Sequence, residues 1–196
     1  MESKRMAGDY TIILSTTTLT GECVIGENIN AKPGFEYMVA DYHSNELFGN
    51  YENIMYSDKY DEILQLYLYL HEKSIPEDSE QLRNAWENII NDVNHHLIVC
   101  EIDGKIVASC VCVIIPNLTR TVRPYAFVEN VVTHGEYRKK GYATDCLNFA
   151  KKIAEENHCY KMMLLTGSKE EGTLNFYQNA GYNSSDKTAF IQWIDM

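Results

Sequence analysis

The strongest constraint on the fold lies in residues 96–115 (HLIVCEIDGKIVASCVCVII), where two apolar, β-rich segments flank Asp103 and Gly104. An Asp-Gly pair adopts the positive φ angles that a two-residue hairpin turn requires. Pro116 follows the second segment and, because it lacks a backbone N–H, it ends the strand there. The sequence therefore predicts an antiparallel β-hairpin.

Two amphipathic helices are predicted before this hairpin. Ser57 and Asp58 can cap the first helix, and Asp78 with Gln81 forms a plausible capping box for the second. Apolar residues at helical spacing support both helices: Tyr60, Ile63, Leu64, Tyr67 and Leu68 in the first, and Leu82, Trp86, Ile89, Ile90 and Val93 in the second.

After the hairpin, strands and helices alternate. Residues 125–133 (YAFVENVVT) and 160–165 (YKMMLL) are strand-like, a helix runs from Gly141 to about residue 157, a short helix covers 171–179, and 189–194 (AFIQWI) is expected to be the last strand. The order of elements predicts an α/β domain over residues 51–196, with a mixed, mostly antiparallel sheet flanked by helices on both faces.

Residues 1–50 differ from the rest of the chain. They are rich in threonine, contain several glycines and show only short β-like runs. We expect a β-rich extension whose role is open: an appended segment, a dimer arm, or an edge strand laid on the core.

Charge and cysteine content restrict the function. A formal net charge of −11 argues against general binding to nucleic acid or to an anionic membrane, and it suits a cationic or amine substrate. Cys100, Cys110, Cys112 and Cys146 lie in apolar runs, and no cysteine or histidine spacing indicates a metal site, so buried reduced thiols are expected. With no signal-like or membrane-spanning segment, we expect a cytoplasmic protein.

Residues 137–145 (YRKKGYATD) place three cations before a glycine at the start of a predicted helix. Backbone N–H groups and the helix dipole make such a turn suited to a pyrophosphate, and Arg or Lys adds charge-assisted hydrogen bonds. Gly141 permits close approach of a ligand, Ala143 keeps the turn open, and Thr144 offers a hydroxyl. An exposed basic helix cap is the alternative interpretation.

The arrangement of motifs resembles the GNAT superfamily of N-acetyltransferases. Arg138, Gly141 and Ala143 occupy the three positions of its Q/R-x-x-G-x-G/A turn, and residues 176–182 (FYQNAGY) match its FY-x-x-x-GF segment. The resemblance covers about residues 51–196 and implies the acyl-coenzyme A N-acyltransferase fold with acetyl-coenzyme A as cosubstrate. Within the superfamily, the chain resembles small-molecule acetyltransferases, and more distantly the glucosamine-phosphate N-acetyltransferases.

The resemblance implies roles for individual residues. The strand residues Val131, Val132 and Thr133 would pair with the pantetheine arm, with backbone N–H groups polarising the thioester carbonyl. Glu170 replaces the asparagine that this family usually has before the tyrosine. The pyrophosphate would be bound by Arg138, Lys139, Lys140, Gly141, Tyr142, Ala143 and Thr144.

Two residues are candidates for acid–base catalysis. Glu129 interrupts an apolar strand, where a charge is costly unless it is paired or functional, and it is the candidate base, acting directly or through water. Tyr177 is the candidate acid for the departing thiolate because a phenol stays protonated at pH 7. A paired structural carboxylate and a plain core tyrosine are the alternative interpretations.

Four further residues are candidates for acceptor binding. Arg120 and Arg123 lie in the loop before the catalytic strand, where they could contact an anionic group of the acceptor or the coenzyme, or could simply be solvated cations. His71 and Glu72 end the first helix and border the acceptor pocket if the chain follows the family. His95 and His96 lack metal-ligand spacing, and we expect them at the surface.

The sequence therefore predicts an acetyl-coenzyme A-dependent N-acetyltransferase that acts directly on a primary amine of a small molecule, without a metal. Two alternatives remain open: a non-catalytic acyl-coenzyme A sensor on the same scaffold, and a protein or peptide N-acetyltransferase. A homodimer is common for such folds and is a further expectation. The sequence does not identify the amine.

Overall fold

A computed structural model describes residues 11–15, 22–24, 39–41, 51–70 and 72–194, and the side chains of the last two ranges from residue 59 onward. The main sheet has five strands in the order β1-β4-β5-β6-β7, and β2 pairs with β3 in a separate two-stranded sheet. The strands are β1 Thr11–Ser15, β2 Glu22–Val24, β3 Val39–Asp41, β4 His95–Ile102, β5 Lys105–Ile115, β6 Tyr125–Thr133 and β7 Met162–Leu164.

Neighbouring strands of the main sheet run antiparallel except β6 and β7, which are parallel. This confirms the predicted mixed, mostly antiparallel sheet. The segment Thr11–Ser15 adds to the outer side of β4, with Thr11 opposite Glu101 and Ser15 opposite Leu97.

The hairpin that the sequence predicts joins β4 to β5. Asp103 has φ 50° and Gly104 has φ 79°, as a two-residue turn with two positive φ angles requires. The strand β5 ends at Ile115, directly before Pro116. The hairpin lies inside the sheet, with β1 on one side and β6 on the other.

Helices α1 (Tyr51–Tyr67) and α2 (Glu80–Asn91) cover one face of the sheet. The buried residues on this face are Ile63, Leu66, Leu97, Val99, Ile106, Val111 and Val132. Both predicted helix starts were wrong. The α1 helix begins before Ser57 because no breaker interrupts the residues that precede it, and Ser79, not Asp78, caps α2 by accepting the Leu82 N–H at 3.2 Å.

Helices α3 (Tyr142–Glu156) and α4 (Glu171–Asn179) pack on the opposite face. The inner side of α3 contributes Cys146, Leu147, Ala150 and Ile153, which pack against the other side of the same strands. Cys100, Cys110, Cys112 and Cys146 are fully buried free thiols, as the sequence predicts.

The prediction of a last strand over residues 189–194 was wrong, because residues 180–194 form no strand. A strand needs a partner for its backbone N–H and C=O groups, and none of the described strands pairs with this segment. Its apolar side chains are exposed, with Phe190 at 92% and Trp193 at 72%.

Within the described residues, none of the helices combines the length and the apolar character that crossing a membrane requires.

Candidate active site

A tight turn joins the end of β6 to the start of α3. A single 3-10 turn, Gly135–Tyr137, is followed by Lys139 with φ 61° and Gly141 with φ 97°, and Gly141 is the N-cap of α3. The Asp145 N–H donates to the Gly141 carbonyl at 3.0 Å as the first i→i−4 bond of the helix. The N–H groups of Ala143 and Thr144 precede that bond, at the position where helix N-termini bind anions.

Cationic side chains surround this turn. The Arg138 Nε donates to the Thr133 carbonyl at 3.3 Å and so connects the turn to the end of β6. The Lys140 ammonium lies 4.7 Å from the ring centroid of Tyr137, and the Lys105 ammonium approaches the same ring at 5.8 Å. The positive charge of an acidic chain is therefore locally concentrated beside a helix N-terminus, which is suited to a phosphorylated ligand.

A β-bulge in β6 lies just before the turn. On β5, residue 111 pairs with Glu129 and residue 109 with Val132, so β6 contains one more residue than β5 between these pairs. Asn130 adopts φ 51° at the bulge, and Glu129 and Asn130 are the exposed residues of a strand whose other residues are buried or half-buried. The extra residue of a bulge is left out of the ladder and redirects the neighbouring side chains.

The bulge brings the two predicted catalytic residues into electrostatic contact. Partial desolvation by the surrounding protein raises the pKa of Glu129 above its ordinary value, and the Asn130 backbone N–H partly offsets this. Burial also raises the pKa of Tyr177, and the charges of Cys110 and Glu129 act in the same direction. A carboxyl group and a phenol, each with a raised pKa, thus lie close enough for the charge of Glu129 to act on Tyr177.

The three β6 residues expected to contact a pantetheine arm follow the bulge directly. Val132 is buried under α1, whereas Val131 packs toward α3 and α4, and Thr133 ends the strand. Backbone groups of β6 between Asn130 and Thr133 thus run from the bulge to the cationic turn. Glu170, where the family pattern has asparagine, is the N-cap of α4 and makes no side-chain capping bond.

A cavity of about 490 Å³ opens between α1, α2 and the sheet on the side of Glu129. Its volume lies within the range of about 300–1,000 Å³ that is typical of small-molecule sites. Most of its wall is aliphatic, contributed by Ile63, Leu64, Ile89, Leu97, Val111 and Val113.

Apart from Glu129, the polar and aromatic residues of the cavity were not among the predicted site residues. Tyr60, Tyr67 and Trp86 line the cavity, together with Asn130 and His95. From their helical spacing, the three aromatic residues were predicted only as core residues. Periodicity shows which face of a helix is buried, but it does not show that a cavity separates that face from the sheet. No sequence pattern singled out Asn130, because it reaches the cavity wall only through the bulge in β6.

Tyr67 is in hydrogen-bond contact with Asn130 of the bulge. Burial raises the pKa of its hydroxyl to about 12, and the neighbouring Asn130 side chain acts in the opposite direction. The phenol therefore stays neutral throughout the physiological pH range.

The four residues predicted to bind the acceptor lie away from the cavity or outside the described residues. Arg123 donates to the carbonyls of His158 and Cys159 at 3.1 and 3.0 Å, and Arg120 lies 5.8 Å from the Tyr160 ring centroid. Both arginines are therefore engaged near the turn between α3 and β7.

Glu72 is exposed beyond the end of α1 and is not part of the cavity wall. His71 lies outside the described residues.

The surface positions expected for His95 and His96 were wrong. Both residues begin β4, where His95 is half-buried against the cavity and His96 is 7% exposed on the other face. Burial lowers the pKa of both, that of His96 to about 4, with His95 adding to the effect and Asp92 opposing it. Alternation along a strand that is covered on both faces buries both of its first residues.

Comparison with known proteins gives one family match. A model described as the acetyltransferase (GNAT) family matches residues 59–182. The glucosamine 6-phosphate N-acetyltransferase of Trypanosoma brucei brucei is 30% identical over 84 residues, which are 43% of this chain and 55% of that protein. The match thus spans about half the length of this curated relative.

Two solved structures have a similar fold. A protein of Agrobacterium tumefaciens described as an acetyltransferase is 31% identical, with a TM-score of 0.65 over 69% of this chain and 94% of that one. The glucosamine-6-phosphate N-acetyltransferase of Arabidopsis thaliana is 23% identical, with a TM-score of 0.61 over 71% and 93% of the two chains.

Proposed function

Because the chain belongs to the acetyltransferase (GNAT) family, we propose that it transfers an acetyl group from acetyl-coenzyme A to a primary amine of a small molecule. One observation carries this proposal. A single strand, β6, presents Glu129 to a small-molecule cavity at its bulge and ends at the cationic N-terminus of α3. An amine site and a pyrophosphate site are therefore connected by one stretch of backbone.

The residues of the turn fit a coenzyme pyrophosphate. The φ of 97° at Gly141 favours glycine, and the N–H groups of the first α3 turn and the nearby cations favour an anion. The proposed coenzyme contacts are those expected from the sequence: Val131, Val132, Thr133, Arg138, Lys139, Lys140, Gly141, Tyr142, Ala143 and Thr144.

In the proposed reaction Glu129 takes a proton from the acceptor ammonium, directly or through water, and leaves a neutral amine. The amine nitrogen then bonds to the thioester carbonyl carbon, and backbone N–H groups of β6 stabilise the oxyanion. As the carbon–sulfur bond breaks, Tyr177 protonates the thiolate. The second proton of the amine nitrogen restores the Tyr177 hydroxyl, and Glu129 releases its proton to solvent.

Calorimetry with acetyl-coenzyme A and an assay of thiol release with a panel of primary amines test this function. We expect binding in the micromolar range and turnover that depends on the added amine. Binding without turnover by any amine would favour the sensor alternative, and failure to bind acetyl-coenzyme A would contradict both. Preferred acetylation of peptides would favour the protein-directed alternative.

We also propose that residues 51–196 form the catalytic domain, with residues 1–50 as an extension. Truncation before residue 51 followed by the same binding assay tests this division, and loss of coenzyme binding would contradict it. The four buried reduced thiols are typical of a reducing compartment, which supports a cytoplasmic location that cell fractionation can test.

A homodimer is the oligomeric state that we propose. It is supported by the large apolar side chains exposed near the C-terminus, including Phe190, Ile191, Trp193 and Ile194. Sedimentation of the purified chain should give the mass of two copies, and Phe190→Asp combined with Trp193→Asp should reduce it to one. A single-copy mass for the unmodified chain would contradict the dimer.

A further inference from the structure

We propose that the acceptor is a primary amine on an aromatic, apolar body with a neutral hydrogen-bonding group at its far end, and not a phosphorylated sugar or a polycation. This inference rests on the proposed acetyl transfer and concerns only which amine the cavity accepts.

The charged residues of the cavity wall indicate which charge the acceptor has. Among the described residues no lysine or arginine lines the cavity, and Glu129 is its only carboxylate. His95 is the other titratable group apart from the tyrosines, and burial lowers its pKa, so it is neutral at pH 7. The wall thus provides one negative charge, which suits one ammonium group and gives a phosphate no cationic partner.

Two cations adjacent in sequence to cavity residues are already engaged. Lys59 forms ion pairs with Glu62 and Glu101, and Arg83 binds both carboxylate oxygens of Asp78. An anionic acceptor would have to displace these carboxylates or leave its own charge desolvated and unpaired, which is costly. A polycation would likewise leave every ammonium but one without a carboxylate.

The aromatic residues indicate the shape of the acceptor body. The Tyr60 and Trp86 rings meet edge to face, with centroids 5.1 Å apart and an interplanar angle of 66°. Together with the aliphatic wall they offer a ring-bearing ligand both apolar contact and aromatic packing. A sugar body would instead place its hydroxyl groups against aliphatic side chains that cannot hydrogen-bond to them.

Two buried donors indicate the polar group at the far end. The Tyr60 hydroxyl and the Trp86 Nε1 are buried and have no hydrogen-bond partner among the described residues. Unpartnered buried donors are unusual and costly, so a ligand acceptor atom would stabilise either donor once a small rotation of its side chain turned it toward the cavity. Tyr60 lies two helical turns before Tyr67, or about 10 Å along α1. Because Tyr67 adjoins Asn130 at the bulge, that distance approximates the length of the ligand from amine to polar group.

The test compares amines by their rate of thiol release. Tyramine and 2-phenylethylamine have the proposed body, with and without the far hydroxyl, whereas methylamine, glucosamine 6-phosphate, kanamycin, spermidine and a dipeptide lack it. We expect kcat/KM for 2-phenylethylamine to exceed that for methylamine by at least about 30-fold, since burying a ring contributes roughly that factor. Tyramine should exceed 2-phenylethylamine by about tenfold through its hydrogen bond.

Substitutions locate the effect in the cavity. Tyr60→Phe should remove the preference for tyramine over 2-phenylethylamine, because it removes the hydroxyl that would bond to the far group of the ligand. Tyr160→Phe is the matched control, because Tyr160 lies at the turn before β7 away from the cavity, and it should retain the preference.

Fluorescence gives a readout that does not depend on turnover. The chain has two tryptophans, so Trp193→Phe leaves Trp86 as the only reporter. In that background 2-phenylethylamine should change the emission, and glucosamine 6-phosphate should not.

Faster turnover of glucosamine 6-phosphate, kanamycin, spermidine or the dipeptide than of tyramine would overturn the acceptor class and leave the acetyltransferase function standing. Acetyl-coenzyme A binding without thiol release for any amine would instead overturn the proposed function, and with it this inference.

Discussion

At the scale of single residues, Glu129 is unusual because it is a charged side chain in the middle of an apolar strand. A carboxylate in the middle of YAFVENVVT could be detected as an anomaly from the sequence alone, because apolar strands rarely carry an unpaired charge. The sequence does not show whether that carboxylate is paired with a cation or faces a cavity, because this depends on the elements that pack around the strand. The structure places it at a bulge, exposed on the cavity side.

Glu129→Gln should lower kcat/KM at pH 7 by about 10²- to 10⁴-fold, the usual contribution of a general base. The unmodified protein should also lose activity as the pH falls through the raised pKa of Glu129, because the protonated acid cannot accept a proton. That acidic limb should be absent in the variant. Glu155→Gln, on the exposed side of α3, is the matched control. An unchanged pH profile in Glu129→Gln would remove Glu129 from the mechanism.

Tyr177→Phe should lower kcat by about 10²-fold with little change in acetyl-coenzyme A affinity, since it removes a proton donor but keeps the ring. Tyr182→Phe is the neighbouring control: the two rings lie 6.2 Å apart, and the buried Tyr182 hydroxyl has no partner among the described residues. Steady-state kinetics and calorimetry separate the two effects. Equal turnover in both variants would show that Tyr177 is only a packing residue.

At the scale of elements, the turn before α3 depends on backbone conformation more than on charge. An ideal Cβ at Gly141 would lie 4.0 Å from the Asp145 Oδ2, so space is sufficient, but φ 97° is unfavourable for a residue with a side chain. Gly141→Val should therefore abolish detectable acetyl-coenzyme A binding by distorting the turn.

Lys139→Ala should weaken binding only severalfold and reduce its dependence on salt, because an exposed cation contributes a screened interaction. Calorimetry at two salt concentrations compares this variant with Gly141→Val. The opposite ranking would mean that the turn is an exposed basic cap and not a pyrophosphate site.

The β6 bulge makes a separate prediction at the same scale. Asn130→Val should destabilise the fold by about 1–2 kcal/mol, because a β-branched residue does not tolerate φ 51°. Asn130→Gly also loses the side chain but accepts that φ, so it should be more stable than the valine variant. Urea unfolding of the two variants isolates the backbone effect, and equal stabilities would contradict it.

The elements themselves were largely predictable where the signal is local. The Asp103–Gly104 turn, β6 and α4 agree with the sequence patterns because their boundaries depend on nearby turn residues and periodicity. The start of α1 was less predictable. Ser57 and Asp58 are residue types that commonly cap helices, but both lie inside α1. The expected strand at 189–194 has the right composition, but a strand forms only where a partner edge is available.

At the scale of the whole molecule, buried His96 links stability to pH. Its folded pKa of about 4 lies below the ordinary 6.5, so on acidification the unfolded chain takes up a proton before the folded chain does. The associated stability is fully present above about pH 6.5 and is lost as the pH falls toward 4, by up to about 3 kcal/mol.

Urea unfolding at pH 7 and pH 4.5 measures this loss. His96→Leu should lose about 2 kcal/mol less stability between the two pH values than the unmodified chain, because the buried titrating group is gone. Equal losses in the two proteins would show that other groups control acid sensitivity.

The sequence by itself determined the hairpin, the glycine turn and the family, and it predicted Glu129 and Tyr177 as the catalytic candidates, because each depends on residue types at short or fixed spacing. Only the tertiary structure decided that Arg120 and Arg123 are engaged elsewhere and that Tyr60, Tyr67 and Trp86 surround a cavity. A cavity is a gap between α1, α2 and the sheet, and its walls come from residues far apart in the chain. No local pattern records which of those residues will face each other once the helices have packed.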